Sequence, residues 1–337
     1  MSKAAVQAPC PWHAGQLSAL YELHQDNRLP HALLLSGPAG IGKRRLARAL
    51  IELLLCQSPR AGLACGECQG CHLSVAGSHP DLFLLEPAEP GKGIRIDPVR
   101  ELVDFGARTA QFSGYRVALI QPAEGMNRNA QNALLKTLEE PGEKMLLVLV
   151  SDQPSRLLPT VRSRCQLRLL SPPALPEARD WLATRLADPG QAAALLAAAG
   201  GAPLRALDLE QSDWFADREK LLKALVRVAG SPRAVPEASR ELAGQDLPAL
   251  VDLAWNWATR AVRLAVTGNN GSEEDTALAP LLAQWLERAG QQRLLDFSQA
   301  LLGARRKLAS GANPNPELLL ESLLLELAGV DAGGPEI

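Results

Sequence analysis

The sequence predicts an α/β domain built on a parallel sheet, followed by domains that contain helices only. At 31–46 an apolar strand runs into a glycine-rich turn and then into helix-forming residues. Short apolar strands then alternate with amphipathic helical segments as far as about residue 170, which is typical of a parallel sheet covered by helices. Beyond that point only helical periodicity is found, and the composition, with 47% hydrophobic but 4% aromatic residues, favours helices.

The predicted elements follow one another closely along the first half of the chain. An amphipathic helix is predicted at 11–27, and a long helix at 96–110 is predicted to have Asp97 as its N-cap and Pro98 at its first position. A further helix is predicted from its cap Asn127 to its stop at Pro141. The other predicted elements are strands at 31–36, 82–85, 115–120, 145–150 and 166–170, a helix at 43–55 and a short helical turn from Pro159.

The turn at 37–43 has the spacing of a phosphate-binding loop. Its backbone N–H groups can turn toward a phosphate because three positions are glycine: Gly37, Gly40 and Gly42. Lys43 can reach terminal phosphates as a point charge. Where the motif needs Ser or Thr to hold Mg²⁺, the chain has Arg44, which offers no lone pair to a metal. We expect a loop that holds phosphate without a metal ligand, and a plain glycine-rich turn is the less favoured interpretation.

The strand at 115–120 lacks the acids of a working ATPase site. In such sites the strand ends in an Asp that supports Mg²⁺, and a Glu commonly follows to polarise the attacking water. Gln121 and Pro122 occupy these two positions, and Glu124 comes three residues after Gln121. Because the metal ligand and both acids are missing, the sequence predicts a site that does not hydrolyse nucleotide.

Four of the six cysteines cluster at 56–71. Cys56 precedes Cys65, Cys68 and Cys71, which are separated by two-residue gaps. In a reduced compartment this spacing favours a metal over disulfides, and the first choice is a structural tetrahedral Zn²⁺ on four thiolates. An iron–sulfur centre is less favoured because Val75 stands where the ferredoxin pattern needs its next Cys, and free thiols are the third alternative.

Charge and hydropathy exclude several classes of protein. The formal net charge of −2 gives no global case for tight nucleic-acid binding, so any DNA contact is expected to be local or shared with partners. No apolar run approaches the roughly 20 residues of a membrane span, and the N-terminus lacks the pattern of a signal peptide. A cytoplasmic location is therefore expected.

Taken in this order, the pieces resemble the bacterial clamp loader branch of the AAA+ ATPases. The resemblance is carried by the cysteine insertion, by the segment Asn-Ala-Leu-Leu-Lys-Thr-Leu-Glu-Glu-Pro at 132–141, and by the triplet Ser-Arg-Cys at 163–165. In that family the motor subunits keep the Mg²⁺ hydroxyl and both acids, whereas other subunits have lost them. Arg44, Gln121 and Pro122 place this chain with the subunits that have lost them.

The resemblance also implies a domain organisation. It divides the chain into an AAA+ phosphate-loop domain at 1–170 with its zinc-binding insertion at 56–71, a three-helix lid at 171–209, a helical collar domain at 210–330 and a frayed tail at 331–337. The lid helices are predicted at 176–186, 191–199 and 204–209, and apolar periodicity recurs in the collar at 221–228, 247–266, 278–302 and 318–327. Leu204 stands where the family has an Arg at the start of the last lid helix, and Arg205 comes one residue late.

The function implied by the resemblance is that of a non-catalytic, stator-type subunit of the DNA polymerase III clamp loader. It implies a pentameric ring with gamma/tau motor subunits and a delta subunit, which loads the beta sliding clamp onto primer–template DNA. Arg164 is expected to act in trans as an arginine finger on the ATP of a neighbour, and an ordinary surface salt bridge is the alternative for this residue. ATP binding through Lys43 is left open.

Two other functions fit the sequence less well. An active ATPase motor needs Mg²⁺ ligands that the chain lacks. A zinc-knuckle nucleic-acid binder needs a basic surface with aromatic rings around the cysteines, and the segment 56–79 has one Arg, no Lys and no aromatic ring apart from two histidines.

Overall fold

The structure is a computed structural model, and it describes residues 5–89, 92–112, 114–212, 215, 217–267, 278–309 and 314–330. The chain divides into two compact units, Met1–Pro173 and Ala174–Ile337. The tail predicted at 331–337 lies outside the described residues. Within the described ranges no single helix combines the length and the apolar character needed to cross a membrane, and one bent pair of short helices, at 189–198 and 203–210, meets those two criteria only jointly.

A five-stranded parallel sheet forms the centre of the first unit, as predicted. Its strands lie in the order β2-β3-β4-β1-β5, where β1 is Ala32–Ser36, β2 is Leu82–Leu85, β3 is Arg116–Ile120, β4 is Met145–Ser151 and β5 is Gln166–Leu169. In the register of the central strands, Leu34 lies between Leu149 of β4 and Leu167 of β5. Every residue of β1, β3 and β4 is buried, which explains why these strands read as continuous apolar runs.

Among the described residues six α-helices accompany this sheet, and their bounds agree largely with the apolar periodicity. Asn127 is an N-cap as predicted, because its Oδ1 accepts a hydrogen bond from the N–H of Ala130 at 2.8 Å. The short helix between Gln69 and Val75, which carries Cys71, was not predicted. The helices are α1 (Ala14–Gln25), α2 (Lys43–Leu55), α3 (Gln69–Val75), α4 (Ile96–Gly106), α5 (Arg128–Glu139) and α6 (Pro159–Arg162).

The prediction for α4 was wrong at both ends. The helix begins at Ile96 with Arg95 as its N-cap, so Asp97 and Pro98 lie inside the first turn. It ends at Gly106 rather than near residue 110. A buried carboxylate accounts for the early end, because Asp81 accepts hydrogen bonds from the N–H groups of residues 111 and 112 at 2.7 Å each and holds this segment in a non-helical path.

The second unit contains helices and no strand among its described residues. Its core is centred on the fully buried rings of Trp257, Trp285 and Phe297. The periodic segment predicted at 278–302 is split into two helices at Gly290, whose φ of +76° is a left-handed conformation that favours glycine. The helices are α7 (Leu175–Ala183), α8 (Ala192–Ala198), α9 (Pro203–Glu210), α10 (Arg218–Gly230), α11 (Val235–Leu242), α12 (Leu247–Thr267), α13 (Ala279–Ala289), α14 (Gln291–Ala309) and α15 (Pro316–Ala328).

Candidate functional site

The predicted phosphate-loop site lies at the edge of the sheet where the carboxyl ends of four parallel strands meet. Gly37 follows β1 and Glu86 follows β2 at this edge. Gln121 follows β3, and Asp152 follows β4. Because open parallel sheets bind ligands beyond the carboxyl ends of their strands, this edge is where a nucleotide would sit.

The loop glycines are required by the backbone at two positions in particular. A Cβ on Gly37 would lie 2.2 Å from the carbonyl oxygen of Leu170, so a side chain cannot be placed there without moving the backbone. Gly42 has a φ of +97° and forms the N-cap of α2, where a Cβ would lie 2.6 Å from the Sγ of Cys10. The loop therefore has the close packing and the left-handed turn that the sequence motif implies.

Lys43 is buried, and its ammonium group is fully engaged by the protein itself. Its Nζ donates to the carbonyl oxygens of Gly37 at 2.7 Å and Pro38 at 2.5 Å, and it lies 2.5 Å from Oδ1 of Asp152. An ammonium has three protons and no acceptor, so these three contacts use all of its donors. The ammonium group that was predicted to contact terminal phosphates is therefore bound by groups of the same chain.

Arg44 and Gln121, which stand where the motif has metal-binding residues, both contact Glu86. Arg44 Nη2 lies 3.1 Å from Oε1 of Glu86, and Gln121 Nε2 donates a hydrogen bond to the same oxygen. Arg44 is largely exposed, whereas Gln121 is buried. Since the single carboxylate in this group is bound by a guanidinium and an amide, its Oε1 is not available to a metal.

Glu124 does not replace the missing catalytic acid. Its Oε1 accepts hydrogen bonds from the backbone N–H groups of Asp152 at 2.9 Å and Gln153 at 3.1 Å, and the residue is buried. The side chain therefore fixes the turn after β4. Pro122 precedes it and is exposed.

A buried histidine, His13, lies beside the loop. The ring nitrogens of His13 are buried, and the ring adjoins Gly42 and Cys10. Burial, together with the nearby positive charge of Lys43, lowers the pKa of His13 to about 4. The ring is therefore neutral at physiological pH and adds no second charge to the loop.

The four clustered cysteines are brought together as predicted. The Sγ atoms of Cys56, Cys65, Cys68 and Cys71 all lie within 4.8 Å of one another. The Cys56–Cys68 and Cys65–Cys71 pairs of sulfurs are each 3.9 Å apart. Four thiolates at the corners of a tetrahedron with metal–sulfur bonds of about 2.3 Å would lie about 3.8 Å apart, so the cluster fits a tetrahedral metal ion.

Backbone N–H groups surround these sulfurs and favour their thiolate form. Cys56 Sγ accepts from the N–H of Cys65 at 3.2 Å, and Cys68 Sγ accepts from the N–H of Gln57 at 3.4 Å. The N–H of Glu67 contributes most to lowering the pKa of Cys65, whereas burial raises the pKa of Cys71. With four protein ligands and this ring of donors, a metal here would have no open position for a substrate.

Arg164 lies at the surface just after α6 and is one-third exposed. Its Nη2 lies 2.7 Å from Oε1 of Glu139, the last residue of α5, and its Nη1 donates to the carbonyl oxygen of Thr160 at 3.0 Å. Arg162 is exposed two residues earlier. Two contacts therefore hold the guanidinium of Arg164 at the surface. In sequence, Arg164 comes 12 residues after Asp152, the residue that follows β4.

Two family models match the chain. One, described as DNA polymerase III, delta subunit, matches residues 12–174, and the other, described as DNA polymerase III, delta subunit, C terminal, matches residues 212–329. DNA polymerase III subunit delta' of Pseudomonas aeruginosa is 43% identical over 96% of this chain and 98% of its own length. The chain belongs to the DNA polymerase III delta' family.

Other relatives extend this membership. The delta' subunit of Escherichia coli is 33% identical over 94% of each chain. A DNA polymerase III subunit tau/gamma of Haemophilus influenzae is 36% identical over 44% of this chain and 21% of its own length. The predicted resemblance to clamp loader proteins is confirmed, and this delta' family member is related to tau/gamma subunits through part of its length.

The sequence places the polar strand end with Asp152 beside the phosphate loop, but it does not predict the partners that Asp152, Glu86 and Gln131 have in this delta' family member. Asp152 follows β4 and Glu86 follows β2, two strands that β3 separates in the sheet, and the partners of both residues depend on the strand order. Gln131 is buried on α5, where it donates to the carbonyl oxygen of Met126 at 2.9 Å and accepts from the N–H of Leu158 at 2.7 Å. A polar residue on the otherwise apolar face of α5 was the available signal, since Gln131 precedes Leu134 and Leu138 at helical spacing.

Proposed function

We propose that the chain is a non-catalytic, stator-type subunit of the DNA polymerase III clamp loader. It supports ATP-dependent loading of the sliding clamp onto primed DNA and does not hydrolyse ATP itself. The observation that carries this proposal is the closed state of Lys43, whose ammonium is bound by Gly37, Pro38 and Asp152 in a site without a metal-binding hydroxyl or acid. Phosphoryl transfer depends on such groups to position and neutralise the transferred phosphoryl.

The partners follow from the family. We propose a pentameric ring in the cytoplasm with gamma/tau motor subunits and a delta subunit, in contact with the beta clamp and with primer–template DNA through the assembly. In this arrangement residues 1–170 form the AAA+ domain, 171–209 the lid and 210–330 the collar through which the subunits associate. The relatives named delta' and tau/gamma support this assignment.

Arg164 is proposed to serve a neighbouring subunit. Its own loop offers no transition state to stabilise, because the chain lacks the residues that hold Mg²⁺ and polarise water. The guanidinium is held at the surface by Glu139 and Thr160, and one-third of its side chain is accessible. An arginine finger supplied in trans can be worth about 10³ to 10⁵ in rate in well-studied GTPases.

The cysteine cluster is proposed to hold one structural Zn²⁺. Cys56, Cys65, Cys68 and Cys71 supply four thiolates with the separations that a tetrahedral ion needs. When bound, the ion cross-links the segment after α2 and has a structural role, without taking part in a reaction. An iron–sulfur centre is the competing assignment, and an absorbance spectrum separates the two.

Nucleotide binding is proposed to be weak. A phosphate that used Lys43 would have to replace Asp152, with which the ammonium lies in contact at 2.5 Å. Gly37, Gly40 and Gly42 nevertheless keep the backbone able to turn N–H groups toward an anion.

The test compares ATP turnover of the isolated chain with that of motor subunits assembled with and without it. We expect no turnover above background from the isolated chain, and a rise in clamp- and DNA-stimulated turnover when it completes the assembly. Hydrolysis by the isolated chain that disappears in Lys43→Ala would overturn the proposal, because that result would locate an active site in this loop.

A further inference from the structure

The start of α9 differs from the family pattern and belongs to none of the sites described so far. Leu204 stands there where the family has an Arg, and Arg205 comes one residue late. Because α9 begins at Pro203, Arg205 lies in its first turn. Its guanidinium binds a residue of the same unit, since Nη2 lies 2.5 Å from Oδ2 of Asp252 on α12.

Two guanidinium groups bind Asp252, one on each carboxylate oxygen. Oδ1 lies 2.6 Å from Nε of Arg305 on α14, and Oδ2 accepts the hydrogen bond from Arg205. The guanidinium of Arg305 also lies 5.1 Å from the centre of the Trp255 ring, which is one turn further along α12. Residues of α12 and α14 therefore hold the carboxylate in place, and Arg205 reaches it from α9.

The contact between Arg205 and Asp252 is largely shielded from solvent. Only 29% of the Arg205 side chain and 22% of the Asp252 side chain are exposed. A charge-assisted hydrogen bond is stronger in such surroundings than at an open surface, because water and salt screen it less. The contact is therefore strong enough to influence how α9 is held against α12.

Little apolar packing joins α7–α9 to the helices that follow them. Among the described residues, the buried apolar core at 221–328 includes no residue of α7–α9, and from these three helices only Ala198 packs against it. A cavity of about 370 Å³ lies between α7, α8 and α12. A second polar contact is made one turn after Asp252, where Asn256 Nδ2 donates to the carbonyl oxygen of Ala198 at 3.1 Å. Polar contacts of α12 therefore contribute much of this junction.

We propose that Arg205 is a positioning residue, which fixes α7–α9 of the proposed lid to α12 of the proposed collar through Asp252 and does not contact a nucleotide. The inference rests on the proposed stator role, in which the subunit keeps its shape while its neighbours hydrolyse ATP. A guanidinium that is bound to the collar cannot also follow a nucleotide. The lid of this subunit therefore keeps one position against its collar whether or not the phosphate loop is occupied.

Hydrogen–deuterium exchange of the full chain, measured by mass spectrometry, tests this contact. In the unmodified chain, the amides of α8 and α9 should exchange at the same rate with and without ATP. Arg205→Ala, and Asp252→Asn, which keeps the shape of the side chain, should each raise this rate about tenfold, as expected for the loss of one hydrogen bond to a charged group. Because both substitutions remove the same contact, the double variant should exchange no faster than Asp252→Asn alone.

The matched control is Arg227→Ala. Arg227 Nη2 lies 2.5 Å from Oε2 of Glu241, an ion pair of the same length, but it joins α10 to α11 within the proposed collar. Its loss should leave the exchange of α8 and α9 unchanged. Arg205→Lys keeps the charge that pairs with Asp252 and should exchange more slowly than Arg205→Ala. If Arg205→Ala does not fold, Asp252→Asn and the control decide.

Two further measurements separate positioning from nucleotide contact. The affinity of the full chain for a fluorescent ATP analogue should be the same in Arg205→Ala and in the unmodified chain. In the assembled clamp loader, Arg205→Ala should lower the clamp- and DNA-stimulated turnover number by at least about threefold. The KM for ATP should stay unchanged, because the motor subunits keep their own sites.

The proposal fails if Arg205→Ala exchanges like the unmodified chain, if Arg227→Ala accelerates the exchange of α8 and α9 equally, or if turnover by the assembly is unchanged. An affinity for the ATP analogue that falls at least tenfold in Arg205→Ala would assign the residue to the nucleotide instead. If the analogue binds neither protein, Arg205 makes no nucleotide contact, and the exchange rates decide. An assembly whose ATP turnover is the same with and without this chain contradicts the proposed stator function rather than the role of Arg205.

Discussion

Oδ1 of Asp152 lies 2.5 Å from Nζ of Lys43, so the acid at the tip of β4 neutralises the lysine of the phosphate loop. The lysine is buried while 42% of the Asp152 side chain is exposed. The loop therefore keeps the lysine of a nucleotide site but holds it in an internal ion pair. A phosphate could reach the lysine only by displacing this carboxylate. Removing the carboxylate should therefore favour phosphate binding.

Replacing Asp152 with Asn is expected to strengthen ATP binding by about tenfold. Hydrogen bonds to charged groups contribute about 1.5–3 kcal/mol, and the low end applies because the carboxylate is partly exposed. Affinity is measured by titration with a fluorescent ATP analogue. The double variant Asp152→Asn with Lys43→Ala should lose the gain, and an Asp152→Asn chain that binds no better than the unmodified one would contradict this account.

How far the sequence predicted this site depends on how local each feature is. Short-range patterns were sufficient for the buried strands, the Asn127 cap and the cysteine spacing, because each depends on residues close together in the chain. The Lys43–Asp152 pair depends on β1 and β4 being neighbours in the sheet, although 108 residues separate these two side chains in sequence. Strand order could not be read from periodicity.

The errors in the predicted helices have two different causes, one distant in sequence and one local. The end of α4 at Gly106 is set by Asp81, which is distant in sequence and buried. The break at Gly290 was available as a local signal, since glycine commonly follows the end of a helix. The Arg164–Glu139 contact joins two of the three features that carry the family resemblance, the segment 132–141 and the triplet 163–165, and only their packing in space shows it.

Removing the metal from the cysteine cluster is expected to destabilise the first unit and to leave the helical second unit unaffected. Metal analysis should give one Zn²⁺ per chain, and Cys68→Ser should lose it. We expect metal removal to lower the free energy of unfolding of the first unit by at least about 2 kcal/mol, which corresponds to a fall of at least about 4 °C in its melting temperature. The matched control is Cys165→Ala, a buried cysteine outside the cluster, which should retain the metal. Iron in place of zinc, or no metal in the unmodified chain, would refute the assignment.

His13 is expected to make the first unit less stable as the pH falls. Its pKa is about 4 in the folded chain and about 6.5 when unfolded, so the unfolded state takes up the proton first. Stability is therefore intact above pH 6.5 and is lost progressively down to about pH 4, by about 2 kcal/mol at pH 5. Urea unfolding at pH 7.5 and pH 5 measures this loss.

The variant His13→Leu isolates this contribution from other titrating groups. Glu52, for example, has a pKa raised by burial and acts in the opposite sense at low pH. The variant should show a smaller loss between the two pH values than the unmodified chain. An identical loss in both proteins would show that His13 does not titrate as described.

Gln131 is expected to position the segment that carries Arg164. Its amide links Met126, just before α5, to Leu158, just before α6, and both of its hydrogen bonds are made inside the protein. Gln131→Leu keeps a similar volume but leaves the N–H of Leu158 without this acceptor, at a cost of about 1–3 kcal/mol. Chemical unfolding measures the cost. Asn132→Leu, at the exposed neighbouring position, should cost less than about 0.5 kcal/mol.

Arg164→Ala is expected to slow ATP hydrolysis by the neighbouring motor subunit without preventing assembly. The side chain is one-third exposed and its intrachain contacts are a surface ion pair with Glu139 and a bond to Thr160, so the stability lost should be under about 1 kcal/mol. The rate of ATP hydrolysis at the adjacent site should fall much more, by about 10³-fold, if the guanidinium acts as an arginine finger. Because other sites in the ring keep their own residues, total turnover falls only in part, and single-turnover measurements are needed to resolve the affected site.

Three matched variants separate this role from an ordinary salt bridge. Glu139→Gln removes the intrachain partner of Arg164 but keeps the guanidinium, so hydrolysis by the neighbour should be preserved. Arg164→Lys keeps the charge but loses the planar fork that suits phosphate. It should therefore slow hydrolysis by the neighbour nearly as much as Arg164→Ala does. Arg162→Ala removes an exposed arginine two residues away and should have little effect. If Glu139→Gln slowed hydrolysis as much as Arg164→Ala does, the ion pair would be the functional element and the finger would be rejected.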